Sequence, residues 1–191
     1  MQRRAVATDA EFEAREVDGK KHIDGYFSVF GGSYQLWDDA IETIDEGAFD
    51  LARDTDVRAL TNHDTTLVLG RTTAGTLALS VDQHGLYGSV EINENDQDAV
   101  NLYERVKRRD VTQCSFGFDI LDEEMVIRDD GKTVWHIKAV KLYEVSVCTF
   151  PAYEETAVQA RQNELETIRA RKREAWKAEM LSKLKGEKQN A

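Results

Sequence analysis

The chain is poor in several things, and each scarcity removes a class of protein. Its 191 residues hold two cysteines and one proline. Cys114 and Cys148 are too few and too far apart for a zinc motif, so both read as buried, reduced small hydrophobes, and no metal or other cofactor is expected. No run of about 18 uncharged apolar residues occurs, which argues against a membrane span. Arg3 and Arg4 are followed by no apolar stretch, which argues against a secretory signal and predicts a protein that stays in the cytoplasm where it is made. Positive charge is scarce in most of the chain: residues 1–154 hold 16 Lys and Arg against 30 Asp and Glu, a net of −14. Such an acidic body lacks the basic face a specific nucleic-acid-binding domain uses to neutralise phosphates. There is no internal repeat and no low-complexity tract.

What is present suits one domain with a real core, since 41% of the residues are hydrophobic, plus an extension. Residues 155–191 reverse the charge, with 9 basic against 6 acidic residues, a net of +3. They contain no glycine before Gly186 and are rich in helix formers, with Leu165, Ile168, Ala175, Trp176, Met180 and Leu184 as a thin apolar stripe. The expected organisation is a β-rich domain over 1–154 and a charged helical tail over 155–191, the helix running about 30 residues and 45 Å.

Along the first part, short strand-like runs alternate with turn residues. Glu11–Val17 and Ile23–Phe30 flank Asp18-Gly19 and read as a hairpin. Ile41–Ile44 reads as a short strand, and Ala48–Arg53 as two turns of helix. Asp56–Asn62, Leu67–Gly70, Thr76–Val81 and Leu86–Ile92 are further strand candidates, a spacing that suggests a barrel or sandwich. Asn95 is a plausible N-cap for a helix with Val100, Tyr103 and Val106 on one face and a basic end at Lys107-Arg108-Arg109, which complements the helix dipole. Thr133–Val140 and Leu142–Thr149 close the series, with Pro151 as the stop.

Three polar residues in these runs could carry chemistry. In Gln113–Ile120, strand alternation places Cys114, Phe116, Phe118 and Ile120 on one face and Ser115, Gly117 and Asp119 on the other. The apolar face buries, so Ser115 points away from it, beside a glycine that admits another backbone. His63 falls where a strand ends, a position at which a rigid sheet presents functional side chains. Glu144 is a carboxylate in a largely apolar strand, either solvated or a buried orienting group. By itself each has a bland reading: a spacer serine, a bystander histidine, a surface glutamate.

Their surroundings resemble the prohead (procapsid maturation) protease family of tailed bacteriophages. The resemblance rests on the ordered succession of Gly25-Tyr26 with Phe30-Gly31, Gly47-Ala48-Phe49, Asn62-His63-Asp64 with Leu69-Gly70-Arg71, Cys114-Ser115-Phe116-Gly117-Phe118, and Leu142-Tyr143-Glu144-Val145-Ser146-Val147 with Pro151-Ala152-Tyr153. It covers about residues 20–155 and leaves the tail outside. The family is similar in fold to herpesvirus assembly proteases, which implies a mainly β chain with flanking helices, a closed antiparallel β-barrel, to which the tail's own sequence adds the long C-terminal helix. It further implies a serine endopeptidase, confined to the host cytoplasm within the assembling procapsid, that cleaves the scaffolding portion of the major capsid protein and often itself, with possible self-association as a dimer. The family pattern makes Ser115 the nucleophile, His63 the base and Glu144 the third member; wild-type activity in Glu144→Gln would shift the third role to Asp64, Asp119 or His136.

A serine hydroxyl needs a base to become a nucleophile, and imidazole is suited to that near neutral pH. Two rival readings stay open at this level. One is a non-enzymatic capsid-assembly factor that uses the barrel as a docking module. The other is a cysteine hydrolase using Cys114, disfavoured because Cys114 falls on the apolar face.

Overall fold

The computed structural model describes residues 2–6, 12–150 and 155–187. The chain divides into two compact units, Met1–Glu154 and Glu155–Ala191.

Eleven strands form two sheets among the described residues of the first unit. In order they are β1 (Gln2–Val6), β2 (Glu13–Val17), β3 (Lys20–Val29), β4 (Tyr34–Trp37), β5 (Ala40–Ile44), β6 (Arg58–Thr61), β7 (Asp64–Arg71), β8 (Leu77–Val81), β9 (Gly85–Glu91), β10 (Gln113–Ile127) and β11 (Thr133–Cys148). Helix α1 (Gln97–Lys107) separates β9 from β10. The larger sheet runs β1-β10-β11-β5-β4, with β6 on β11 and β7 on β6; the smaller runs β2-β3-β9-β8.

This corrects the expected closed antiparallel barrel. Among the described residues both sheets are open, ending at β1, β4 and β7 in one and at β2 and β8 in the other, and β11 pairs in parallel with both β5 and β6. The cause is the length of β11. Thr133–Val140 and Leu142–Thr149, expected as separate strands, are one 16-residue strand whose first half serves β5 and whose second half serves β6. One long central strand therefore has neighbours that never meet to close a ring.

Two hairpins follow from their turn residues. Asp18-Gly19 joins β2 to β3 with φ of 52° and 76°, and Asn62-His63 joins β6 to β7 with φ of 52° and 60°. Two central residues with positive φ match the right-handed twist of a strand pair. The expected helix at Ala48–Arg53 is instead a series of turns. Asp50 Oδ1 accepts from the Ala52 and Arg53 N–H groups at 3.1 and 3.3 Å, Arg53 donates to the Val140 carbonyl, and Val140 N–H donates to the Ala48 carbonyl. Bonds to β11 here outweigh local helix propensity.

Helix α1 is capped by Asp96, not Asn95: its Oδ1 accepts from Asp98 N and Ala99 N at 3.0 and 3.4 Å. Ala99, Leu102, Tyr103 and Val106 are its buried face. They join a continuous core in which Ile23, Phe27, Leu86 and Val90 of the small sheet meet Phe116, Phe118, Leu142, Val145 and Val147 of the large one. Phe116 is held edge-on to Phe49 and stacked on Phe118, with ring centroids 5.6 and 4.9 Å away. Burying each such ring is worth about 1.5–3 kcal/mol, so the Cys114, Phe116 and Phe118 face of β10 is locked inward and Ser115 is forced to the other.

The second unit contains α2 (Glu155–Glu187), in which Trp176 and Met180 of the expected apolar stripe are exposed. Pro151-Ala152-Tyr153 lie outside the described residues. Within the described residues no helix is long and apolar enough to cross a membrane.

Candidate active site

The β6–β7 turn aims His63. Its left-handed backbone, φ 60°, is a region that histidine enters more readily than most residues. The turn is also tied to β11 on both sides. Asn62 N–H donates to the Val147 carbonyl at 3.0 Å, Asn62 Oδ1 accepts from Thr149 N–H at 2.8 Å, and His63 N–H donates to Ser146 Oγ at 3.2 Å.

From there His63 Nδ1 reaches Glu144 Oε1 at 2.6 Å. The pair is almost entirely withdrawn from water, with side-chain exposures of 8% and 4%. Glu144 Oε2 accepts a second short bond, 2.6 Å, from Ser146 Oγ. In the tautomer in which Nδ1 carries the proton, the ring donates to Glu144 Oε1 and its other nitrogen, Nε2, is the acceptor. His63 Nε2 is buried with no hydrogen-bond partner among the described residues.

Local strand geometry makes room for this carboxylate. β10 and β11 pair in register from Gln113↔Cys148 to Gly117↔Glu144, and Phe118 then faces Leu142, which leaves Tyr143 as a bulge. The bulge is anchored from below: Asp54 Oδ2, fully buried, accepts from Leu142 N–H at 3.1 Å. Opposite Glu144 stands Gly117, where a Cβ would collide with Glu144 Oε1 and sit 3.0 Å from its Cγ and Cδ. Only a glycine leaves the carboxylate this space.

Ser115 lies on the same face, opposite Ser146 in the ladder. Directly opposed Cβ atoms are about 5 Å apart, so Ser115 stands about one strand spacing from the hydroxyl that holds both Glu144 and the His63 backbone. It is fully buried and does not bond to His63 Nε2 in this arrangement. The fold thus joins His63 to Glu144 directly and places Ser115 on the sheet face that carries Glu144 and Ser146.

The other candidates are elsewhere. Asp64 binds Thr66, Asp119 accepts from Tyr143 Oη at 2.9 Å, and His136 Nδ1 pairs with Asp45 at 2.9 Å; none of them takes the His63 ring. Arg108 pairs with Asp110 at 3.2 Å. Cys114 is on the core face with its Sγ 3.3 Å from the Tyr26 carbonyl, and burial pushes its thiol well above the ordinary range, the opposite of what a thiolate nucleophile requires. No cluster of three or more metal-ligating side chains occurs among the described residues.

Three residues of this site were not singled out by sequence reasoning. Ser146 carried a signal, since it follows Glu144 by two positions in one strand and must share its face. Gly117 was noticed as a gap beside Ser115, though not as the space for Glu144. Asp54 carried none, because its role depends on a bulge that sequence does not announce.

Comparison with known proteins agrees with the resemblance. The family described as caudovirus prohead serine protease matches residues 8–171, so the match runs beyond residue 155 into α2. The prohead protease of Enterobacteria phage HK97 is 31% identical over 175 residues, covering 86% of this chain and 73% of that protein. No solved structure gives a significant match.

Proposed function

The chain belongs to the caudovirus prohead serine protease family, and we propose that its protease chemistry is carried by Ser115 as nucleophile, His63 as general base and acid, and Glu144 as the group that orients and charges the imidazole. The observation that supports this most is the buried His63 Nδ1–Glu144 Oε1 bond of 2.6 Å, which presents an unbonded Nε2 on the sheet face that bears Ser115.

In the proposed cycle His63 Nε2 takes the Ser115 proton as Oγ attacks a peptide carbonyl, and the imidazolium is stabilised by Glu144, which does not itself take the proton. His63 then protonates the leaving amine, and water admitted in its place is activated by the same nitrogen to release the acyl group. The charge that appears on His63 develops next to a carboxylate screened from water, where the attraction is far stronger than at a surface. We further propose that the substrate is the scaffolding portion of the major capsid protein, cut inside the procapsid, and that the chain also cuts itself.

The test is cleavage of the cognate capsid precursor by purified Ser115→Ala and His63→Ala chains, checked for fold by circular dichroism. Loss of about 10³-fold or more in each, with labelling of Ser115 by a fluorophosphonate in the wild type, is the expected result. Full activity in either variant would remove that residue from the mechanism.

A further inference from the structure

Resting on the catalytic reading of Ser115, we propose that the outer edge of β10 is the substrate-docking edge, that it takes an extended peptide as an added antiparallel strand, and that β1 occupies this edge in the resting chain and must leave it.

β10 has two long edges, and one is committed. Its β11 side carries Glu144 and Ser146 and pairs along nearly the whole of both strands. Among the described residues the other side is held by β1 alone, through five residues in antiparallel register: Gln2↔Phe118, Arg3↔Gly117, Arg4↔Phe116, Ala5↔Ser115 and Val6↔Cys114. β1 ends the sheet, so an extended backbone already lies across the nucleophile strand with Ala5 opposite Ser115.

A peptide whose carbonyl is to meet Ser115 needs the same path. In the resting arrangement Ser115 has no exposed surface, and His63 and Glu144 have almost none, so a peptide gains access only by a rearrangement. Exchange of β1 for an incoming strand is the rearrangement that preserves ladder hydrogen bonding, because each backbone group of β10 given up by β1 is taken by the newcomer. Short edge strands open at low cost relative to the core of a sheet. The partner chemistry follows: a peptide extended over about five residues and free of proline at the positions that pair, since proline removes ladder donors.

The experiment uses the full chain. In an Arg4→Pro/Ala5→Pro variant, two adjacent prolines remove β1 donors whichever of the two faces β10. With the competent fraction increased, the variant should cleave the capsid precursor roughly tenfold faster than wild type. A peptide of the sequence Gln2–Val6, blocked at both ends, should inhibit that variant competitively, raising KM with kcat unchanged. A folded variant no faster than wild type, or inhibition that lowers kcat alone, would overturn the proposal. Hydrogen exchange supplies a measurement that needs no β1 substitution. With capsid precursor bound to the Ser115→Ala chain, amides of residues 2–6 should lose protection while those of 114–118 keep it, and retained protection in 2–6 would show the exchange does not happen. Should Ser115→Ala itself cleave normally, the nucleophile assignment fails, and the exchange measurement still decides the docking edge by itself.

Discussion

The Ser146 hydroxyl donates a 2.6 Å hydrogen bond to Glu144 Oε2 while accepting the His63 backbone N–H at 3.2 Å. One side chain therefore fixes the carboxylate and the turn that carries the imidazole. Glu144 alone could rotate about its side-chain bonds; held by Ser146 it presents Oε1 to Nδ1 in one orientation. This is the supporting shell that precise side-chain placement requires.

Replacing that hydroxyl should loosen the pair without removing it. Ser146→Ala is expected to lower kcat for precursor cleavage by about 10–100-fold, the scale of a small misplacement of a catalytic group, with KM little changed. Ser146→Thr, which keeps the hydroxyl, should recover part of the loss. Steady-state kinetics with both variants check this; an equal loss in both would mean that packing, and not the hydrogen bond, is what matters.

Gly117 makes a sharper prediction, because the obstacle is a single atom. Gly117→Ala should force Glu144 away from His63, costing about 1–3 kcal/mol in stability as overpacking and a larger share of activity. The discriminating measurement is the ¹H spectrum of the ¹⁵N-labelled His63 ring, in which the Nδ1 proton bound to Glu144 should lose its downfield position. If that signal is unchanged, the glycine is not needed for the carboxylate.

Asp54 acts on the scaffold. It accepts the Leu142 N–H beside the Tyr143 bulge and pairs with Arg53 at 3.3 Å. Asp54→Ala leaves a buried donor without its acceptor and should destabilise the chain by about 1–3 kcal/mol, read as a lower urea midpoint at unchanged slope. A midpoint within error of wild type would show that the bulge holds without it.

Asp56 and Arg71 give a pH prediction. The Arg71 guanidinium, at 2.6 and 2.8 Å, holds the Asp56 carboxyl down to about 2, from an ordinary 3.8. A depressed folded value means the pair contributes to stability above about pH 4, and the contribution is lost as pH falls toward 2. Because both groups are exposed the effect on stability is small, so the measurement is an NMR titration of the Asp56 carboxyl. Its midpoint should rise toward 3.8 in Arg71→Ala; a midpoint near 4 in the wild type would refute the pairing.

The primary structure determined the local facts by itself. Period-two alternation through Cys114, Phe116 and Phe118 was enough to turn Ser115 off the core face, because burial of aromatic rings leaves a strand no choice of side. Asp18-Gly19 was enough to mark a hairpin, since a two-residue turn demands positive φ. Tertiary structure decided what no window of sequence contains. Whether strands close into a barrel depends on which neighbours a long strand acquires, and β11 acquired two parallel ones. Whether Ala48–Arg53 coils depends on bonds to Val140, some 90 residues away. Glu144 became the partner of His63 because a bulge and the absence of a Cβ at Gly117 put free space where an oxygen had to stand. Distance along the chain hides such placements; only the packed sheet, in which residues 63, 117, 144 and 146 become neighbours, expresses them.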